Sequence, residues 1–124
     1  MFTKIIRVLL VDDEARLRQM AKRVLVNDNE IEVVGEASDG REAVSLNSKL
    51  TPDVIVMDIA MPELNGLEAT QIIRRKSPDT KIIVITAMDA EPYHKAAMRM
   101  GANAFLPKGA LDSELIPTIH NIFV

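Results

Sequence analysis

The stretch Asp53-Val54-Ile55-Val56-Met57-Asp58 constrains this chain more than any other. Four consecutive apolar residues, three of them β-branched, run into a carboxylate. A strand that is apolar at every position has no wet face, so it belongs in a parallel sheet covered on both sides. Asp58 then fits only as the strand's last residue, where the chain leaves the sheet. In open α/β sheets, ligand sites lie beyond the carboxyl ends of the strands. Asp58 is therefore read as a nucleophile for a phosphoryl group, served by residues from the other strand ends.

The remaining sequence supplies such a sheet. Residues 5–11, 31–37, 81–87 and 103–106 read as four more strands. Helical patterns cover 14–28, 41–49, 67–76 and 91–100, and a last one starts near 112. In the first helix Leu17, Met20, Ala21, Val24 and Leu25 share one face. Arg16, Arg18, Lys22 and Arg23 take the other, which reads as a solvated face, and acidic residues stand at the helix's positive end. The second helix has the weakest stripe, Ala43, Val44 and Leu46. Gly101 is placed to stop the fourth helix in a left-handed conformation. Asp112 or Ser113 is expected to cap the fifth, and Pro117 within it predicts a kink or a delayed start.

Five strands alternating with five helices imply right-handed crossovers and a doubly wound α/β fold. The expected architecture is flavodoxin-like, a five-stranded parallel sheet in the order 2-1-3-4-5. Its switch point lies between strands 1 and 3, so Asp12 and Asp13 should meet Asp58 in one crevice. Thr86 ends strand 4, and Lys108 follows strand 5 at the same edge.

Three crowded carboxylates repel, by about 3 kcal/mol per pair at ~5 Å and an effective dielectric near 20. A divalent cation that prefers oxygen removes that cost, and carboxylates with water suit octahedral Mg2+. Phosphoryl transfer depends mainly on positioning and on neutralising three equatorial oxygens. The metal, Lys108 and the Thr86 hydroxyl could take one each. Thr86 would then sense the phosphoryl group by moving toward it. His94 and His120 fall on helices away from the strand ends and read as ordinary residues.

Other classes of function fit poorly. The chain has no cysteine, which rules out thiolate metal sites and thiol nucleophiles and suits a reducing cytoplasm. No apolar run approaches a membrane span, and the first residues are too short and charged for a signal peptide. A net charge of −3 and few aromatics argue against this segment gripping nucleic acid.

The chain resembles the receiver domain of two-component response regulators over essentially all of its 124 residues. The matching motifs are Val8-Leu9-Leu10-Val11-Asp12-Asp13, Asp58-Ile59-Ala60-Met61-Pro62-Glu63-Leu64-Asn65-Gly66, Ile85-Thr86-Ala87 and Phe105-Leu106-Pro107-Lys108. The resemblance implies that Asp58 accepts phosphate from a sensor histidine kinase. It implies Mg2+ on Asp13, Asp58 and the Ala60 carbonyl, with Asp12 acting through water and Lys108 pairing with the phosphate. Thr86 and Phe105 look like a switch pair, and Ala60 and Met88 flank the site. Gly66 reads as a backbone requirement. Gly109 follows the lysine where most receivers have proline, and Pro107 precedes it.

Two segments, residues 33–44 and 65–70, resemble receivers of LuxR-type transcription regulators. Those normally continue into a C-terminal helix-turn-helix domain. None is present here, so the chain reads as a single receiver domain, either a fragment or stand-alone. DNA would be reached only through the missing domain. Dimerisation on phosphorylation is compatible with either a helix 1–helix 5 or a helix 4–strand 5–helix 5 surface. The resemblance implies no enzyme acting on external substrates. An aspartate-nucleophile phosphatase of the haloacid-dehalogenase type would need a second aspartate two residues after the first, where Ala60 stands. A phosphorylation-independent interaction domain is the other reading, although such receivers usually lose an acidic residue or the lysine.

Overall fold

The computed structural model describes residues 4–61, 64–87 and 91–123. Pro62, Glu63 and Met88 lie outside them. The elements follow in the order β1 (Ile6–Val11), α1 (Ala15–Leu25), β2 (Ile31–Ala37), α2 (Gly40–Leu50), β3 (Val54–Asp58) and α3 (Gly66–Lys76). Then come β4 (Lys81–Thr86), α4 (Glu91–Met100), β5 (Ala104–Pro107), a 3-10 turn (Lys108–Ala110) and α5 (Leu111–Asn121). The sheet is parallel throughout, in the order β2-β1-β3-β4-β5. That is the order expected from the alternation of elements.

The continuous apolar runs are explained by two cores. Val8, Leu10, Val54, Val56, Ile83 and Ile85 point to one face, against Ala21 and Leu25 of α1 and Leu111, Leu115 and Ile119 of α5. Leu9, Val11, Ile55, Met57, Ile82 and Val84 point to the other, against Ala43, Ala69, Ile73 and Ala97 of α2, α3 and α4. Alternate residues of each central strand thus serve opposite cores. Every residue of β3, Asp58 included, is buried.

The edge strand β2 is irregular. Val33 pairs with Val8 but Gly35 with Leu9, so Val34 is an extra residue that bulges from the ladder. At the other edge, β5 spans four residues and ends on Pro107.

Several local expectations need correction. Glu14 occupies the cap position of α1 rather than its first turn, and it makes no side-chain cap bond. Acidic side chains are therefore absent from that first turn. In α2, Val44 and Leu46 are only partly buried, and the polar Asn47 shares the buried face with Ala43. Asn47 fits there because its amide donates to Ser77 Oγ at 3.0 Å. Neither Asp112 nor Ser113 caps α5. The 3-10 turn feeds straight into the helix, Ala110 takes the cap position, and Asp112 lies in the first turn. Pro117 sits on the exposed side and α5 continues through it. Asp39 and Asn65 cap α2 and α3 through their side chains. Gly101 takes the expected left-handed conformation, with φ +110°.

Candidate functional site

Parallel pairing decides which side chains meet. Val11 of β1 lies opposite Met57 of β3, so the next residues, Asp12 and Asp58, leave the sheet side by side. Asp58 in turn pairs with Ile85, and Thr86 with Pro107, which brings Thr86 and Lys108 to the same rim. Asp12, Asp13 and Asp58 each offer a carboxylate oxygen within 4.8 Å of the others. Asp12, Asp58 and Thr86 are each 2% exposed, whereas Asp13 faces solvent.

Lys108 is the cation of this pocket. Its Nζ lies 2.9 Å from Asp12 Oδ2, 3.4 Å from Asp58 Oδ1 and 3.8 Å from Glu14 Oε1. The short contact to Asp12 Oδ2 is an ion pair outside good hydrogen-bond alignment, which leaves that buried oxygen without an aligned donor among the described residues. The other Asp12 oxygen accepts the Glu14 N–H at 2.8 Å.

The electrostatics follow from burial and crowding. Burial first, and then the charge of Asp12, push the Asp58 carboxyl up to about 6, against the lowering pull of Lys108 and the Ala60 N–H. Burial also raises Asp12, with the Lys108 ion pair and the Glu14 N–H opposing it. Burial pulls the Lys108 ammonium down, but its contact with Asp12 and the charge of Asp58 outweigh that, and the net displacement is upward. A single ammonium therefore does not satisfy the site. Three oxygen ligands, two of them buried and one lacking an aligned donor, fit a hard divalent cation such as Mg2+.

Two backbone features hold the rim. A Cβ on Gly66 would overlap the Asp58 carbonyl oxygen, and the Gly66 N–H donates to Ile59 O at 2.9 Å. Glycine here permits close approach of α3 to the end of β3. The Leu106–Pro107 peptide that precedes the lysine is trans.

Asp12, Asp13, Asp58 and Lys108 come together, and register carries Thr86 to the same rim, whereas Phe105 stands further back. It lies opposite Val84, on the same sheet face as Thr86 but one pleat behind it. Thr86 is itself held by an interaction in this structure, so it does not wait idle for a phosphoryl group.

Arg18, Lys22 and His94 escaped the sequence reading. Arg18, assigned to a solvated face, is only 18% exposed; it donates to the Asp12 carbonyl at 2.6 Å and to Glu36 Oε1 at 3.0 Å. Lys22 joins the same Glu36 at 3.0 Å. His94 is not a bystander either: its ring stacks on Phe105 with centroids 4.8 Å apart and planes 9° from parallel. No local pattern announces the contacts to Glu36 and Phe105, because those partners are distant in sequence. The expectation that His120 is ordinary also misses a contact, Nε2 to Asp28 Oδ2 at 2.7 Å, which ties α5 to the loop after α1.

Comparison with known proteins agrees with this fold. Residues 8–120 match the family described as the response regulator receiver domain. The response regulator GacA of Pseudomonas aeruginosa is 37% identical over 118 residues, covering 95% of this chain and 55% of GacA. The transcriptional regulatory protein DegU of Brevibacillus brevis is 41% identical over 103 residues, covering 83% of this chain and 44% of DegU. The chain thus spans about half the length of these relatives. A solved LuxR-family two-component response regulator from Aurantimonas sp. SI85-9A1 superposes with a TM-score of 0.91 at 32% identity, over 96% of this chain and 85% of that one.

Proposed function

Because this chain belongs to the response regulator receiver domain family, we propose that it is a phosphorylation-activated switch whose phosphoacceptor is Asp58. One observation carries the reading: Asp12, Asp13 and Asp58 bring carboxylate oxygens within 4.8 Å of one another, and among the described residues one ammonium, Lys108, lies between two of them.

In the proposed reaction a carboxylate oxygen of Asp58 attacks the phosphorus of a phosphohistidine on a sensor kinase. The Asp58 O–P bond forms, the P–N bond breaks, and its electron pair leaves with the donor imidazole. Asp13, Asp58 and the Ala60 carbonyl would hold Mg2+, with Asp12 through water; when bound, the ion supplies charge neutralisation at the phosphoryl oxygens. Lys108 starts 3.4 Å from Asp58 Oδ1, so a small movement brings its ammonium onto a phosphoryl oxygen. The Thr86 hydroxyl donates to another. Since ionised Asp58 is the nucleophile, an acid group near 6 remains mostly reactive at neutral pH.

Thr86 and Phe105 form the proposed switch, and the face made by α4, β5 and α5 is the proposed output surface, with dimerisation on phosphorylation as one outcome. The output is proposed to be control of transcription, through a DNA-binding segment of the kind that would occupy the rest of a relative's length. A receiver that acts alone by protein–protein contact is the alternative. No action on external substrates is proposed, because Ala60 stands where a general acid would be needed. Among the described residues no helix is long and apolar enough to cross a membrane, and a cytoplasmic location is proposed.

The test is incubation with acetyl phosphate and Mg2+, followed by intact-mass measurement. One phosphoryl group should appear on the wild type and none on Asp58→Ala. An equal gain on the variant, or none on the wild type, rejects the reading.

A further inference from the structure

We propose that His94 is a positioning residue that latches Phe105 in the resting state and thereby sets how readily the receiver switches. This rests on the proposed function above and deepens it. Val84 and Phe105 are register partners, and Val84 faces the core beneath α4, so Phe105 and Thr86 share that face. Phe105 is half-buried against this core, on which Tyr93 of α4 also packs. Its outer side is not bare. The exposed imidazole of His94, one residue after Tyr93, lies flat on the ring, with centroids 4.8 Å apart and planes within 9°.

The stack coexists with Lys108 held between Asp12 and Asp58, and both contacts are assigned to the proposed resting state. In the switched state Thr86 moves toward the phosphoryl group and Phe105 follows it toward the rim. His94 stands on α4, whose Ala97 is fully buried, and Phe105 stands on β5, so the two rings belong to different elements. In the proposed switch Phe105 leaves the stack. A contact present in one state and lost in the other biases the equilibrium between them. An aromatic pair of this kind is worth about a five-fold change in population.

By linkage, whatever destabilises the resting state tightens binding of a ligand that selects the switched one. The probe is beryllofluoride, a phosphoryl mimic, titrated in saturating Mg2+ and followed by NMR of the Phe105 ring. His94→Ala should bind it about five times more tightly than wild type. His94→Phe, which keeps a flat ring at that position, should restore the wild-type affinity. In a Phe105→Leu background, His94→Ala should have no effect. His94 is exposed, and thermal melts confirm that each variant is folded.

Unchanged affinity for His94→Ala overturns the latch, as does weaker affinity or an effect that persists without Phe105. In those cases beryllofluoride still binds the wild type, and the receiver reading stands. If beryllofluoride and Mg2+ do not bind the wild type at all, the receiver reading falls and the latch falls with it.

Discussion

Asp58→Asn should stabilise the metal-free protein, and by an amount that depends on pH in a defined direction. The folded protein holds the Asp58 proton more tightly than the unfolded chain, with a value raised from 3.8 to about 6. Ionising this carboxyl therefore costs folding free energy. The cost is absent below the unfolded value, grows through the interval, and is complete above about 6. At about 1.4 kcal/mol per pH unit, that rise is worth roughly 3 kcal/mol. The side chain is only 3% exposed, so solvent screening does little to reduce the figure. Asparagine keeps the shape and removes the charge, while Lys108 retains Asp12 at 2.9 Å. In EDTA at about pH 8, urea unfolding should show a gain near 3 kcal/mol, or roughly 10 °C in Tm. Toward about pH 4 the gain should shrink to almost nothing. Millimolar Mg2+ should narrow the gap at high pH by neutralising the wild-type pocket. A variant no more stable than wild type at high pH, or equally stabilised at both extremes, would refute the claim that burial and Asp12 strain this carboxylate.

Lys108→Met leaves Asp12 and Asp58 buried without a counter-charge, so metal-free unfolding at neutral pH should show a loss of about 3 kcal/mol, and acetyl phosphate labelling should fall at least ten-fold. Gly66→Ala places a methyl group against the Asp58 carbonyl; a stability loss of about 2–4 kcal/mol in urea is expected, with slowed phosphorylation because the nucleophile's peptide must shift. Arg74 donates to Gly101 O, Ser77 O, Pro78 O, Thr80 O and Asn103 Oδ1, at distances from 2.6 to 3.1 Å. Arg74→Met should cost about 2–4 kcal/mol and speed hydrogen exchange at the starts of β4 and β5, while leaving Asp58 phosphorylation intact, because these loops lie at the opposite end of the sheet.

The strands and their order were readable because a parallel sheet covered on both sides imposes unbroken apolar runs, as in Val54 to Met57 and Ile82 to Ile85. Once the order is known, the convergence of Asp12, Asp58, Thr86 and Lys108 follows from register alone. What could not be read depends on contacts between distant residues. The stripe of α2 looked weak because one buried position is held by Asn47, whose partner Ser77 is thirty residues away. Arg18 looked solvated because nothing near it hints at Glu36 or at the carbonyl of Asp12. The start of α5 was misplaced because the 3-10 turn after β5 continues directly into the helix, and no side-chain cap is then required.

The kinked flank at Val34 and the four-residue flank ending on proline have a joint consequence for association. Neither border presents a long, straight row of unsatisfied amides onto which another chain could zip. Partners are thus steered away from main-chain recruitment and toward the helical exterior, where side-chain chemistry discriminates one from another. For the switch proposed above, which would meet different proteins before and after phosphorylation, the sticky backbone route would stay closed in both conditions.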